Sequence, residues 1–163
     1  LEGQPDNVAA SIFGSVTATN EDAVIRLKCP SQLDVVVWIP DEKTSTDSSR
    51  NQLPTSVPFE IATQALGRSS VLVAAIASGD LAAMRQCCID DLHQPTRLAS
   101  APESARALQI ALDNGAAAAW LSGSGPTIAA FIDSGEAEQL KRVLPDSGHS
   151  KILKVARHGI YVS

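Results

Sequence analysis

The sequence predicts an α+β protein, with long apolar helices laid on one face of a small, mainly antiparallel sheet. Leu33-Asp34-Val35-Val36-Val37-Trp38-Ile39 is a β-branched run stopped by Pro40, the strongest strand signal in the chain. From Leu33 onward the order reads strand, two helices, a third helix, two strands, helix, strand, which is the order of a two-layer sandwich. The chain has 163 residues, 44% of them hydrophobic but only 4% aromatic, so its core must come from Ala, Val, Leu and Ile.

Taken in order, Pro5-Asp6-Asn7 turns into a short apolar helix that Gly14 ends, with Asp6 or Asn7 as its cap. Val16 to Thr19 and Ala23 to Leu27 read as two strands around an Asn20-Glu21-Asp22 hairpin loop. After the break at Pro30 comes the strand at 33–39. Residues 41–56 are polar and read as a loop with one helical turn near residues 46–51. Ile61, Ala65, Leu72 and Ile76, echoed one residue on by Ala62, Leu66, Val73 and Ala77, make a broad apolar stripe on a helix over 58–77. That helix is expected to be buried on much of its circumference.

Ser78-Gly79-Asp80 closes it and opens a helix on which Leu81, Met84, Cys88 and Leu92 face one way. Pro95 disfavours helix at Gln94, so residues 93–97 read as a loop. Ser100-Ala101-Pro102-Glu103 matches a capping box for a helix that Asn114-Gly115 stops. Residues 116–121 and 127–132 are strands around a glycine-rich turn, 136–144 is a short helix, and 151–162 is a last strand with Gly159 as a bulge. The two strands before Pro30 fit this sandwich poorly and read as the tail of another unit.

Several function classes drop out. A net charge of -5 argues against a nucleic-acid groove. No stretch has the ~18 unbroken apolar residues of a membrane span. Three cysteines, two of them adjacent, make a poor disulfide framework, and His93, His149 and His158 show no ligand spacing, so no metal site is expected. A reducing cytoplasm suits such a chain. No Gly-x-Ser-x-Gly or His-Glu-x-x-His motif is present.

Three stretches carry chemistry. In Leu121-Ser122-Gly123-Ser124-Gly125-Pro126-Thr127 two glycines admit a close ligand, and the backbone N–H groups and hydroxyls suit an anion. The same residues would serve equally well as a plain strand-to-strand turn. Glu2-Gly3-Gln4-Pro5-Asp6-Asn7 groups acceptors and an amide at a helix start, where a polar cap is the simpler use and a substrate amine or hydroxyl the other. Arg50 and Arg97 stand alone in polar segments. An Arg fork matches a carboxylate or phosphate, although a lone Arg is usually a solvated one.

Together and in order, these stretches resemble the homoserine kinases. Residues 2–9 resemble their Glu-Gly-His-Pro-Asp-Asn-Val-Ala segment. Ser45-Thr46-Asp47-Ser48-Ser49-Arg50 with Leu53-Pro54 resembles their Ser-Thr-x-x-x-Arg-x-x-Leu-Pro loop, and Leu92-His93-Gln94-Pro95-Thr96-Arg97 their Leu-His-x-Pro-x-Arg. Residues 121–127 resemble the third motif of the wider superfamily of galactokinase, homoserine, mevalonate and phosphomevalonate kinases.

The resemblance implies a ferredoxin-like C-terminal kinase domain over 31–163, with residues 1–30 as a remnant (helix plus two strands) of an N-terminal one. It implies transfer of the ATP γ-phosphoryl group, with Mg2+, to the hydroxyl of L-homoserine in a homodimeric enzyme of threonine biosynthesis. Nucleic acid and membrane are not among its partners. Asn7 would sit by the hydroxyl, with Asp6 and Gln4 near it. Arg50 and Arg97 would bind the carboxylate, and Thr46 would lie near the transferring phosphate. Ser122, Gly123, Ser124 and Gly125 would shape the place where substrate and phosphate meet.

Gln4 stands where the family commonly has His, which removes any proton-linked role there. The family's Gly-Leu-Gly-Ser-Ser nucleotide loop and its magnesium-binding acid are not in residues 1–163. The chain is therefore expected to supply the substrate side and to be inactive alone. Two other readings fit the α+β order: a mevalonate-type kinase of the same superfamily, and a non-catalytic amino-acid-sensing domain.

Overall fold

The computed structural model describes residues 6–41 and 54–160. Helix α1 (Asp6–Phe13) leads to a hairpin of β1 (Val16–Thr19) and β2 (Val24–Leu27) that forms a separate two-stranded antiparallel sheet. Asn20 Oδ1 accepts from the N–H groups of Asp22 and Ala23 and so closes the hairpin loop. A four-stranded sheet follows, in the order β4-β5-β3-β6, with β3 (Leu33–Pro40), β4 (Ala118–Leu121), β5 (Ile128–Asp133) and β6 (Gly148–Lys154). Every pairing in it is antiparallel. The expected α+β class, with an antiparallel sheet and helices, is what the chain forms.

The helices are not confined to one face. Strand alternation sends Val36, Trp38, Ala119, Leu121, Ala130 and Ile132 to one side, where α5 (Pro102–Asp113) and α6 (Ala137–Val143) cover them. Leu33, Ala118 and Phe131 point the other way and meet Ala75 and Ile76 of α2 (Phe59–Ser78) and Met84 of α3 (Leu81–Cys87). The reason lies in the strands themselves: β4 and β5 are apolar at consecutive positions, so both of their faces need cover. The first face is built from small residues, with Ala107 and Ala111 of α5 set over Ala119 and Ala130.

Other expectations need correction. Helix α2 begins and ends within one residue of its predicted bounds but is not buried around its circumference. Only Ala75 and Ile76 are buried, with Leu72 packed partly exposed against the same core, and Phe59 is 85% exposed. Its stripe of Ala65, Leu72 and Ile76 faces a cavity. By length and composition α2 would also pass for a membrane span, although its last turn packs on the sheet.

Helix α3 stops at Cys87, so Leu92 is not on it. Its start is as read: Gly79 takes the left-handed exit at φ 75° and Asp80 accepts from the Ala83 N–H at 3.0 Å. Residues 94–99 are not loop but a short helix, α4 (Gln94–Ala99), because Pro95 falls in the first turn, where its missing N–H costs nothing. The residue before α5 is Ala101, not Ser100; the Ser100 hydroxyl donates back to the Arg97 carbonyl at 2.9 Å. Strand β6 starts earlier than expected and ends at Lys154, and Gly159 is no bulge within it. The helical turn expected near residues 46–51 lies outside the described residues.

Beyond β6 the chain runs back to α1. Ser15 N–H donates to the Ala156 carbonyl at 2.6 Å, Ile160 N–H to the Ser11 carbonyl at 3.2 Å, and Arg26 Nη2 to the Arg157 carbonyl at 2.5 Å. A Cβ on Gly159 would fall on the Ile12 backbone, so only glycine permits this approach.

Candidate active site

A cavity of about 730 Å3 opens between the two sheets. Asp6 and Asn7, at the first turn of α1, line one side with Ser15 and Thr17 of the hairpin. The opposite side is the segment after α3, with Asp90, His93 and Gln94, and the floor is sheet, including Trp120 and Phe131. Those two rings lie 5.0 Å apart in a tilted pair. The backbone of Asn7 is committed: its N–H donates to Asp6 Oδ1 at 2.8 Å, and its carbonyl accepts from the Ser11 hydroxyl at 2.8 Å.

Asp90 orders the far wall. Its Oδ1 accepts from the Leu92 and His93 N–H groups at 2.7 and 3.0 Å, and its Oδ2 lies 2.8 Å from His93 Nδ1. A carboxylate can only accept, so Nδ1 carries the proton. The contact between Arg97 Nη1 and that same nitrogen, at 3.4 Å, is then a close approach of two donors and not a hydrogen bond. Arg97 is held instead by the Gly123 carbonyl, to which Nη1 donates at 3.2 Å. Its Nε is buried and has no partner among the described residues. That one nitrogen is a desolvated donor left unsatisfied, while the rest of the guanidinium is part-exposed.

The glycine-rich segment is the β4–β5 connection. Gly123 and Gly125 sit at φ 59° and 79°, and a Cβ on Gly125 would strike the Leu121 side chain. Ser122 N–H donates to the Thr127 carbonyl at 2.8 Å, and Gly125 N–H to the Ser122 carbonyl at 3.0 Å. Two of the turn's amides are thus spent inside it. The Ser104 hydroxyl fastens the turn to α5 through the Pro126 carbonyl at 2.7 Å.

Of the residues singled out from sequence, Asp6 and Asn7 line the cavity, and Arg97 joins the turn at Gly123. Arg97 does not itself line the cavity; it stands one helical turn beyond Gln94, which does. Gln4, Thr46 and Arg50 lie outside the described residues. Sequence reasoning missed Asp90 and Gln94. Asp90 carried no signal beyond being one of many surface acids, and Gln94 none beyond its place between His93 and Pro95.

Two cysteine thiols are shifted. Burial pushes Cys88 from an ordinary 9.0 up to about 11, with a backbone hydrogen bond at Ala119 opposing and the Asp90 charge adding to the rise. Burial also raises Cys29. Neither is an activated nucleophile.

Residues 72–150 match the family described as GHMP kinases C terminal. A homoserine kinase of Thermus thermophilus is 41% identical over 146 residues, which are 88% of this chain and 50% of that protein. Homoserine kinase of Moorella thermoacetica is 47% identical over 135 residues, 80% of this chain and 46% of that protein. The crystal structure of homoserine kinase from Cytophaga hutchinsonii superposes with a TM-score of 0.88 at 25% identity, covering 95% of this chain and 53% of that one. Mevalonate kinase of L. major shares the fold with a TM-score of 0.59 at 18% identity, over 82% of this chain and 45% of that one. The chain spans about half the length of the curated relatives it matches. Its residues 72–150 match the C-terminal domain of the GHMP kinases, and the chain as a whole is similar to the C-terminal half of the homoserine kinases.

Proposed function

We propose that this chain forms the substrate side of a homoserine kinase, which transfers the ATP γ-phosphoryl group to the side-chain hydroxyl of L-homoserine in the cytoplasmic synthesis of threonine. The observation that supports this is the cavity: the Asp6-Asn7 pair forms one side and Gln94 with Leu121 the other, and Gln94 bonds to Leu121 at the foot of the glycine turn. The Asn7 amide orients the hydroxyl and is no base, so the proton leaves with the phosphate. Arg97, with its unpartnered Nε, holds the carboxylate, and Arg50 joins it. Thr46 lies by the transferring phosphate, Gln4 and Asp6 by the amino acid, and the turn from Ser122 through Gly125 closes the site.

Magnesium would enter with the nucleotide. Among the described residues no group of three acids, histidines or cysteines could hold a metal, so no step is assigned to it. The division at residue 30, with α1 and the β1–β2 sheet belonging to a nucleotide-side unit, is part of this proposal, as is a homodimer. The test is a phosphorylation panel of L-homoserine, L-threonine and mevalonate on the product of the complete reading frame, beside the chain alone. Turnover of homoserine by the former and no micromolar ATP–magnesium affinity in the latter are expected. Mevalonate turnover, or threonine-only stabilisation without turnover, would replace the reading.

A further inference from the structure

The strongest unassigned feature is a buried polar side chain on the cavity wall. Gln94 is 8% exposed and opens α4. Its Oε1 accepts from the Leu121 N–H at 2.5 Å, across 27 positions of sequence. Leu121 is the last residue of β4 and the one before the glycine turn. One helical turn on, Arg97 donates to the Gly123 carbonyl at 3.2 Å. Two bonds, two residues apart on the turn and three apart on the helix, therefore fasten α4 to the turn in one register. Without the first, the surface-side bond of a long, flexible Arg would be the hydrogen bond left between α4 and the turn, beside the packing of Leu98 on the core and the Ser104–Pro126 bond that ties the turn to α5.

We infer that Gln94 is a positioning residue: by accepting from Leu121 it fixes the Arg97 guanidinium against the glycine turn, and so fixes where a carboxylate-bearing ligand can lie. This rests on the reading of Arg97 as the carboxylate hook. A glutamine that merely satisfied one strand amide would leave Arg97 where it is, and that difference can be measured.

The experiment is 15N NMR on the whole chain, with L-homoserine as the titrated probe. In Gln94→Leu, which removes the acceptor, the Leu121 and Gly123 amide signals and the Arg97 Nε–H signal should all move. Homoserine affinity should fall about tenfold, the loss of one buried hydrogen bond. Gln94→Glu, which keeps an acceptor, should restore all of them. Movement of Leu121 alone, with Arg97 and Gly123 unmoved, overturns the inference, as does failure of the Glu variant to restore. Should Gln94→Leu unfold, Arg97→Lys reads the linkage from its other end, and an unmoved Leu121 amide then overturns it. A wild-type chain blind to homoserine counts against the substrate reading, while the Arg97 and Gly123 signals still decide the role of Gln94.

Discussion

Under the proposed function Asn7 and Arg97 act on different parts of the ligand, and kinetics can separate them. An amide that orients the reacting hydroxyl matters most at the transition state. In the active enzyme Asn7→Ala should therefore lower kcat on the order of 100-fold with a smaller rise in KM. A carboxylate remote from the transferred group is bound alike in ground and transition states, so Arg97→Ala should raise the homoserine KM about 10- to 100-fold with kcat little changed. The reverse pattern in either variant would remove that residue's assignment. Cys88 offers a check by pH. Its thiol titrates near 11 in the fold against an ordinary 9.0, so folding favours the neutral form. That contribution is complete below pH 9 and is lost as pH rises through 11. Denaturant midpoints of the native chain should thus fall more steeply over that window than those of Cys88→Ala; parallel curves would show that the thiol is not buried as described.

At the level of elements, the extension after β6 is the chief surprise, and glycine decides it. Gly159→Ala would push against the Ile12 backbone and Gly14→Ala against His158, where Gly14 also sits at φ 68°. Each should cost about 1–3 kcal/mol in urea unfolding, as for overpacked sites elsewhere. A cost near zero would mean that the extension is not held on α1. What could be read beforehand follows one rule. Elements with local causes were legible: β3 from its β-branched run, the α2 exit from Gly79, the α3 start from Asp80, the hairpin from Asn20. Those set by distant partners were not. The docking of α4, with Gln94 capturing Leu121, leaves no local mark, and the apolar stripe of α2 reads as core until a cavity is found in front of it. The same division holds for the site. Asp6, Asn7, Arg97 and the glycine turn were visible as residue types in a pattern. The work of Asp90 and Gln94 depends on bonds that only the fold creates.

Across the molecule, one chain makes two sheets that do not share a strand, joined by α2 beside the cavity and by the extension laced onto α1. The larger sheet buries apolar side chains on both faces, whereas the smaller unit shows Val8, Ile12 and Ile25 to the outside. A net charge of -5 is no obstacle to the proposed ligand, because what would meet a carboxylate is the local donor set on α4, one helical turn from the cavity wall at Gln94. The scarcity of aromatic residues also has an optical consequence. The chain holds two tryptophans. Trp38 is 1% exposed in the core, its Nε1–H donating to the Pro145 carbonyl at 2.9 Å, while Trp120 forms part of the cavity floor. Emission from the first should stay blue and constant on titration, and any change with ligand should come from the second. Quenching by iodide would then report how open the chamber is, with no label attached.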